Sequence, residues 1–192
     1  MRPGHRDGRD PRHASVPQPT VDRIVEPGGH ALVVGVVPGQ PALVVLTAAR
    51  WAAVTGAHLH VAYADTARYV VEEHADGTVR HAALDPDTAD DAWQRVEREL
   101  REQVGTALAT AGSSVAWTLH YLAGRPDRAL THLARAVDAA AIVVGTRAPG
   151  TGARVRSLLE GSVAVHLAHH QHRPVLTVPL DVVDWSATRS PW

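Results

Sequence analysis

Short apolar runs bounded by Gly and Pro set the rhythm of this chain. HALVVGVV over His30–Val37 and AAIVV over Ala140–Val144 carry no polar alternation, the pattern of strands covered on both faces in a parallel sheet. AHLHVAY over Ala57–Tyr63, the alternating VAWTLHYL over Val115–Leu122 and VLTV over Val175–Val178 complete five strands. Pro174 and Pro179 bracket the last run, which suits an edge position. Between the strands lie helical patterns. Ala42–Thr55 is apolar on more than one helical face and stops at Gly56, predicting a well-buried crossover helix with a glycine C-cap. Asp85-Pro86-Asp87 opens a long helix that runs through Ala111 and stops near Gly112, with Asp90 and Asp91 in its first turn, where the dipole favours acids. Its Glu97, Arg98, Glu99, Arg101 and Glu102 form a solvated face. A further helix spans Asp127–Val137 with Pro126 at its first turn. Ser162 stands at the N-cap position of the last.

Strands alternating with helices imply right-handed crossovers and a parallel sheet. The predicted fold is α/β: a Rossmann-like, doubly wound, mostly parallel five-stranded sheet of order 3-2-1-4-5, with helices on both faces. One insertion departs from minimal βαβ spacing. Tyr69 to Arg80 reads as a small hairpin with Asp76-Gly77 at its turn, expected to protrude over the strand ends. The order reverses between strands one and four, and ligands of such sheets sit beyond the carboxyl ends of the strands at that reversal. Val37-Pro38-Gly39 and Gly145-Thr146-Arg147 therefore define the candidate crevice.

Composition narrows the picture. The chain has 192 residues, 45% of them hydrophobic, enough for one domain with a substantial core. Residues 1–28 mix Arg, Asp, His, Pro and Gly without a usable period, so they are expected to be a disordered or loosely attached tail; residues 29–181 form the domain and 182–192 a second tail. In the N-terminal tail, Arg2, Arg6, Arg9, Arg12 and Arg23 face Asp7, Asp10, Asp22 and Glu26, a balance that does not make a nucleic-acid arm. With a net charge of −1, no global field draws the protein to nucleic acid or acidic lipid. No apolar run reaches the length of a membrane helix, and the N-terminus lacks the apolar core of a secretory signal, so a cytoplasmic location is expected.

Cysteine is absent, and all 19 basic residues are arginine. Disulfides, thiolate sites, a P-loop lysine and a Schiff-base lysine are thereby excluded. His58 and His60 lie two apart in a strand and point to one face. They are spaced to begin a metal site, but no third ligand is identifiable, and packing against a covering helix is the simpler reading. His166, His169, His170 and His172 have helical spacing, yet histidines in a last turn also suit the dipole and free carbonyls. No catalytic residue and no metal site is assigned, since Ser162 is explained as a cap.

The segment from Gly145 to Pro179 carries a resemblance. Strand, glycine loop and capped helix follow one another, a cradle of backbone N–H groups suited to a phosphate. Gly145, Gly161 and Ser162 match the first glycine and the final pair of G-x2-G-x9-G-[ST], the loop of nucleotide-binding members of the universal stress protein family, and Gly124-Arg125-Pro126 also resembles that family. The resemblance covers roughly Gly28 to Asp181. Three features depart from it. Ala148 stands at the second glycine; fifteen residues rather than twelve separate Gly145 from Gly161; and Val36-Val37-Pro38-Gly39-Gln40 lacks the aspartate that such members place after strand one. The resemblance implies a single-domain, homodimeric stress-response or ligand-sensing module, not an enzyme, joined through Val175, Leu176, Thr177 and Val178 of its last strand. The alternative is an ATP-binding member, with Mg²⁺ and slow hydrolysis, whose modified loop uses Val37, Pro38, Gly39, Gly145, Thr146, Arg147, Gly150, Gly161 and Ser162. Arg154 and Arg156 would stand near the phosphates.

Overall fold

Apolar runs without alternation become central strands because both of their faces are covered. A computed structural model of the chain describes residues 20–85, 92–146 and 163–180. Its strands are β1 (Leu32–Gly35), β2 (Leu59–Asp65), β3 (Arg68–Glu73), β4 (Val79–Ala83), β5 (Trp117–Ala123), β6 (Ala141–Gly145) and β7 (Val175–Val178). Its helices are α1 (Leu43–Thr55), α2 (Ala92–Thr110), α3 (Pro126–Ala136) and α4 (Val163–His170). The main sheet has the order β5-β2-β1-β6-β7, and every pairing in it is parallel. Counting only its own strands along the chain, that order is 3-2-1-4-5, as expected.

Alternate residues of the central strands feed two cores. Leu32 and Val34 of β1 join Leu59 and Val61 of β2 beneath α1 and α2. Val33, Ala62 and Ile142 turn to the other side, beneath α3 and α4. Leu59, Val33, Val34, Val61 and Ile142 are fully excluded from solvent. Each such side chain stabilises the fold by about 1.5–3 kcal/mol relative to its exposed state.

Several expectations are refined. Gly56 caps α1 in the left-handed region (φ 70°), as its position implied. The helix is not buried all round, however: Val44, Val45, Ala48, Ala49 and Ala52 form one inward stripe, whereas Leu43, Trp51 and Val54 face outward. The run Val115–Leu122 shifts to Trp117–Ala123, and its last five residues are all buried. Alternation fails there, where both strands of the hairpin pack against β5.

The hairpin is the main correction. It does not protrude; β3 and β4 fold back alongside β5, placing the His81 ring 5.3 Å from that of Tyr121. Its turn is built as the sequence indicates, with Gly77 at φ 82° and Asp76 accepting hydrogen bonds from the Thr78 amide and hydroxyl at 2.9 and 2.7 Å. The turn comes to rest on α3, so close that a Cβ on Gly77 would lie 2.5 Å from Leu133 Cδ1. A sheet edge that would otherwise offer unpaired backbone groups is covered in this way. Residues 1–19 of the expected 1–28 tail, the expected tail at 182–192, the opening of α2 at Pro86, Asp87, Asp90 and Asp91, and the Ser162 cap lie outside the described residues.

Candidate functional site

Because β1 and β6 are adjacent and parallel, the segments that follow them leave the sheet on the same rim. The two segments meet there: Gln40, just past Val37-Pro38-Gly39, has its Nε2 2.6 Å from where a Cβ on Gly145 would stand. Val44 Cγ2 and Leu180 Cδ1 close in on that position at 2.9 and 3.0 Å. A Cβ at 145 would force these side chains to shift.

On this rim, the described amides of Val37, Gly39 and Thr146 are already engaged. Val37 N–H donates to Gln40 Oε1 at 3.2 Å, and Gly39 N–H donates to Gln103 Oε1 at 3.0 Å. Gln103 Nε2 returns a bond to the Gln40 carbonyl at 3.1 Å, so α2 holds the loop from both directions. Pro38 has no N–H to give. On the β6 side, Thr146 N–H donates to the Val178 carbonyl at 2.8 Å, and the Thr146 hydroxyl accepts from Leu180 N–H at 2.8 Å. Gly39 itself sits at φ 72°, where only glycine is unstrained. Thus Val37, Pro38, Gly39, Gly145 and Thr146 are brought together, while Arg147, Gly150, Arg154, Arg156, Gly161 and Ser162 lie outside the described residues. Gln40 and Gln103 were not anticipated. Gln103 lies among the charged residues of α2, and nothing local marks it as the partner of a loop 64 residues away.

No carboxylate follows β1, and the donors of its loop are satisfied internally. Val37 and Gly39 therefore offer no free amide to a phosphate, and the aspartate with which the resembled pattern helps hold the nucleoside is absent.

The paired histidines gain a third member. His60 Nδ1 is hydrogen-bonded to His120 Nε2 at 2.8 Å, and His58 Nε2 to Thr118 Oγ1 at 2.9 Å. Burial, reinforced by the His120 and His58 imidazoles, pushes His60 down from 6.5 to about 4. Burial also lowers His120, against the opposing pull of Asp76. His120 Nδ1 has no hydrogen-bond partner among the described residues. Among those residues, no group of three or more His, Cys, Asp or Glu is arranged to hold a metal. In α4, His170 Nδ1–H donates to the His166 carbonyl at 2.9 Å, the use of a last-turn histidine that the helix end favours.

At the carboxyl ends of β2 and β5, the Tyr121 hydroxyl donates to Asp65 at 2.6 Å. Burial and that carboxylate raise Tyr121 well above the usual phenol range, and burial followed by Asp65 raises Tyr63 to about 12. Both stay protonated, so neither supplies a base. At the start of α3, Arg125 grips Asp127 through Nε and Nη2 at 3.2 and 3.0 Å. Burial alone would raise the Asp127 carboxyl, but the Arg125 bonds and charge hold it below its usual value.

Comparison with known proteins gives one consistent answer. The model of the universal stress protein family matches residues 30–179. Among solved structures, a universal stress protein from Archaeoglobus fulgidus is 20% identical with a TM-score of 0.55, covering 79% of this chain and 94% of its own. A universal stress protein solved in complex with cAMP is 24% identical with a TM-score of 0.51, covering 80% and 99%. A member of the same family from Burkholderia pseudomallei is 18% identical with a TM-score of 0.50, covering 78% and 96%. A search of curated proteins finds no match.

Proposed function

The chain belongs to the universal stress protein family, and on that premise we propose that it is a stress-response, ligand-sensing module that works as a homodimer and is not an ATP-hydrolysing enzyme. One observation carries this reading: the loop after β1, which would have to receive a nucleotide, spends its amides on Gln40 and Gln103. A site whose donors are satisfied internally gains little from an anion, since each new bond replaces an old one. The missing aspartate and the lengthened Gly145–Gly161 interval weigh the same way. The homodimer reading rests on β7, which pairs with β6 on one side only among the described residues, because an open apolar edge favours a second copy.

The adenine-nucleotide reading draws on the relative solved with cAMP. Heat-denaturing the purified protein and examining the supernatant by mass spectrometry, followed by calorimetric titration with ATP and Mg²⁺, separates the two. We expect no co-purified nucleotide and no saturable heat at millimolar ATP. Stoichiometric nucleotide in the supernatant would establish the adenine-binding reading instead.

A further inference from the structure

We propose that the cleft between the hairpin and α3 is a second ligand site, separate from the β1–β6 crevice, that takes a small amphipathic anion: a carboxylate or sulfonate on a short apolar body. The cleft has a volume of about 290 Å³, at the lower end of the roughly 300–1,000 Å³ range of ligand pockets, so the ligand is small. Its floor is apolar, made by Leu122 of β5, Val79 of β4 and Leu133 of α3, of which Leu122 and Leu133 are 2% and 1% exposed. One end is shut where the hairpin turn rests on α3, at Gly77 and Leu133. Gly124 and Arg125, where β5 gives way to α3, also line the cleft.

The charge of the mouth selects the sign of the ligand. Arg125, Arg128 and His132 line it at i, i+3 and i+7, one side of the helix. The acid in the lining is Glu73, which faces His132 at 3.4 Å and so has a partner of its own. Arg125 is already oriented by Asp127, which leaves the exposed Arg128 as the group best placed to meet an incoming head. An apolar floor under an arginine mouth suits an anion with a hydrophobic tail; a bare phosphate would waste the floor, and an amine would meet the wrong charge. The hairpin gives the cleft its second wall. The cleft is independent of the β1–β6 rim, because none of Val37, Gly39, Gln40 or Gln103 lines it.

The test uses the full chain, ¹⁵N-labelled, with octanoate as probe and octylammonium as its opposite-charge control. Saturable shifts at the Gly77, Ala123, Gly124 and Ala129 amides with millimolar octanoate, and none with octylammonium, are the expected result. Arg128→Glu should weaken octanoate roughly ten-fold, about the 1.4 kcal/mol of one charged contact. Ala129→Leu, which fills the cleft, should abolish the shifts while Arg128→Glu keeps the native spectrum. The proposal is overturned if octanoate produces no saturable shift, if octylammonium moves the same amides equally, or if both variants bind octanoate as the parent does. Failure here leaves the ATP titration unaffected, and the converse holds.

Discussion

Gln40 shows how one side chain decides what a crevice can accept: its Oε1 holds the Val37 amide while its Nε2 leans over Gly145. Gly145→Ala sets a methyl against Gln40, Val44 and Leu180 at once and should cost about 1–3 kcal/mol by overpacking, read as a fall in the urea midpoint. Gln103→Ala removes the acceptor from Gly39 N–H and the donor to the Gln40 carbonyl. A loss of about 1 kcal/mol with faster hydrogen exchange at Gly39 is expected; unchanged exchange would mean that α2 does not hold the loop. His60 gives a pH dependence. Above its unfolded value of 6.5 the ring is neutral in both states; as pH falls from 6.5 to about 4 the unfolded chain binds a proton that the folded chain refuses, and stability drops. Allowing for the ring's partial contact with solvent, the loss is about 1–2 kcal/mol. Urea midpoints for the parent and His60→Asn, compared at about pH 7 and about pH 5, should show a smaller fall in the variant. Equal falls would exonerate this ring.

At the level of elements, the hairpin and α3 act as one unit. Gly77→Ala combines a left-handed φ of 82° with a Cβ 2.5 Å from Leu133, so it should destabilise by about 2–4 kcal/mol and perturb β3 and β4 in a residue-resolved exchange experiment before β1 or β6. The individual elements were legible in the sequence wherever the signal was local. The bare apolar runs around Val33 and Val143 announced covered strands, Gly56 announced a cap, and Asp76-Gly77 announced a turn. What stayed hidden was long-range. The landing of Gly77 on Leu133 and the arrival of His120 beside His60 depend on contacts 56 and 60 residues apart, which leave no periodicity to read. The same holds for Gln103 and Gly39: the meeting of the segments after β1 and β6 was legible from topology, but the glutamine bonds that tie the first of them were not.

For the whole molecule, two parallel βαβ halves meet between β1 and β6, one sheet edge is covered by the hairpin, and β7 forms the other. No helix among the described residues is long and apolar enough to cross a membrane. The open β7 edge predicts a dimer by size exclusion with light scattering, and Thr177→Lys, placing a charge on the exposed outer position of that strand, should yield monomers with unchanged circular dichroism. A parent chain already monomeric at high micromolar concentration would remove that interface. The most direct measurement is a ¹H–¹⁵N spectrum of the full chain recorded with and without millimolar ATP and Mg²⁺, watching the Val37, Gly39 and Thr146 amides. A crevice closed by its own glutamines leaves all three resonances where they were, whereas shifts that saturate at equimolar nucleotide would show that the loop opens to receive it.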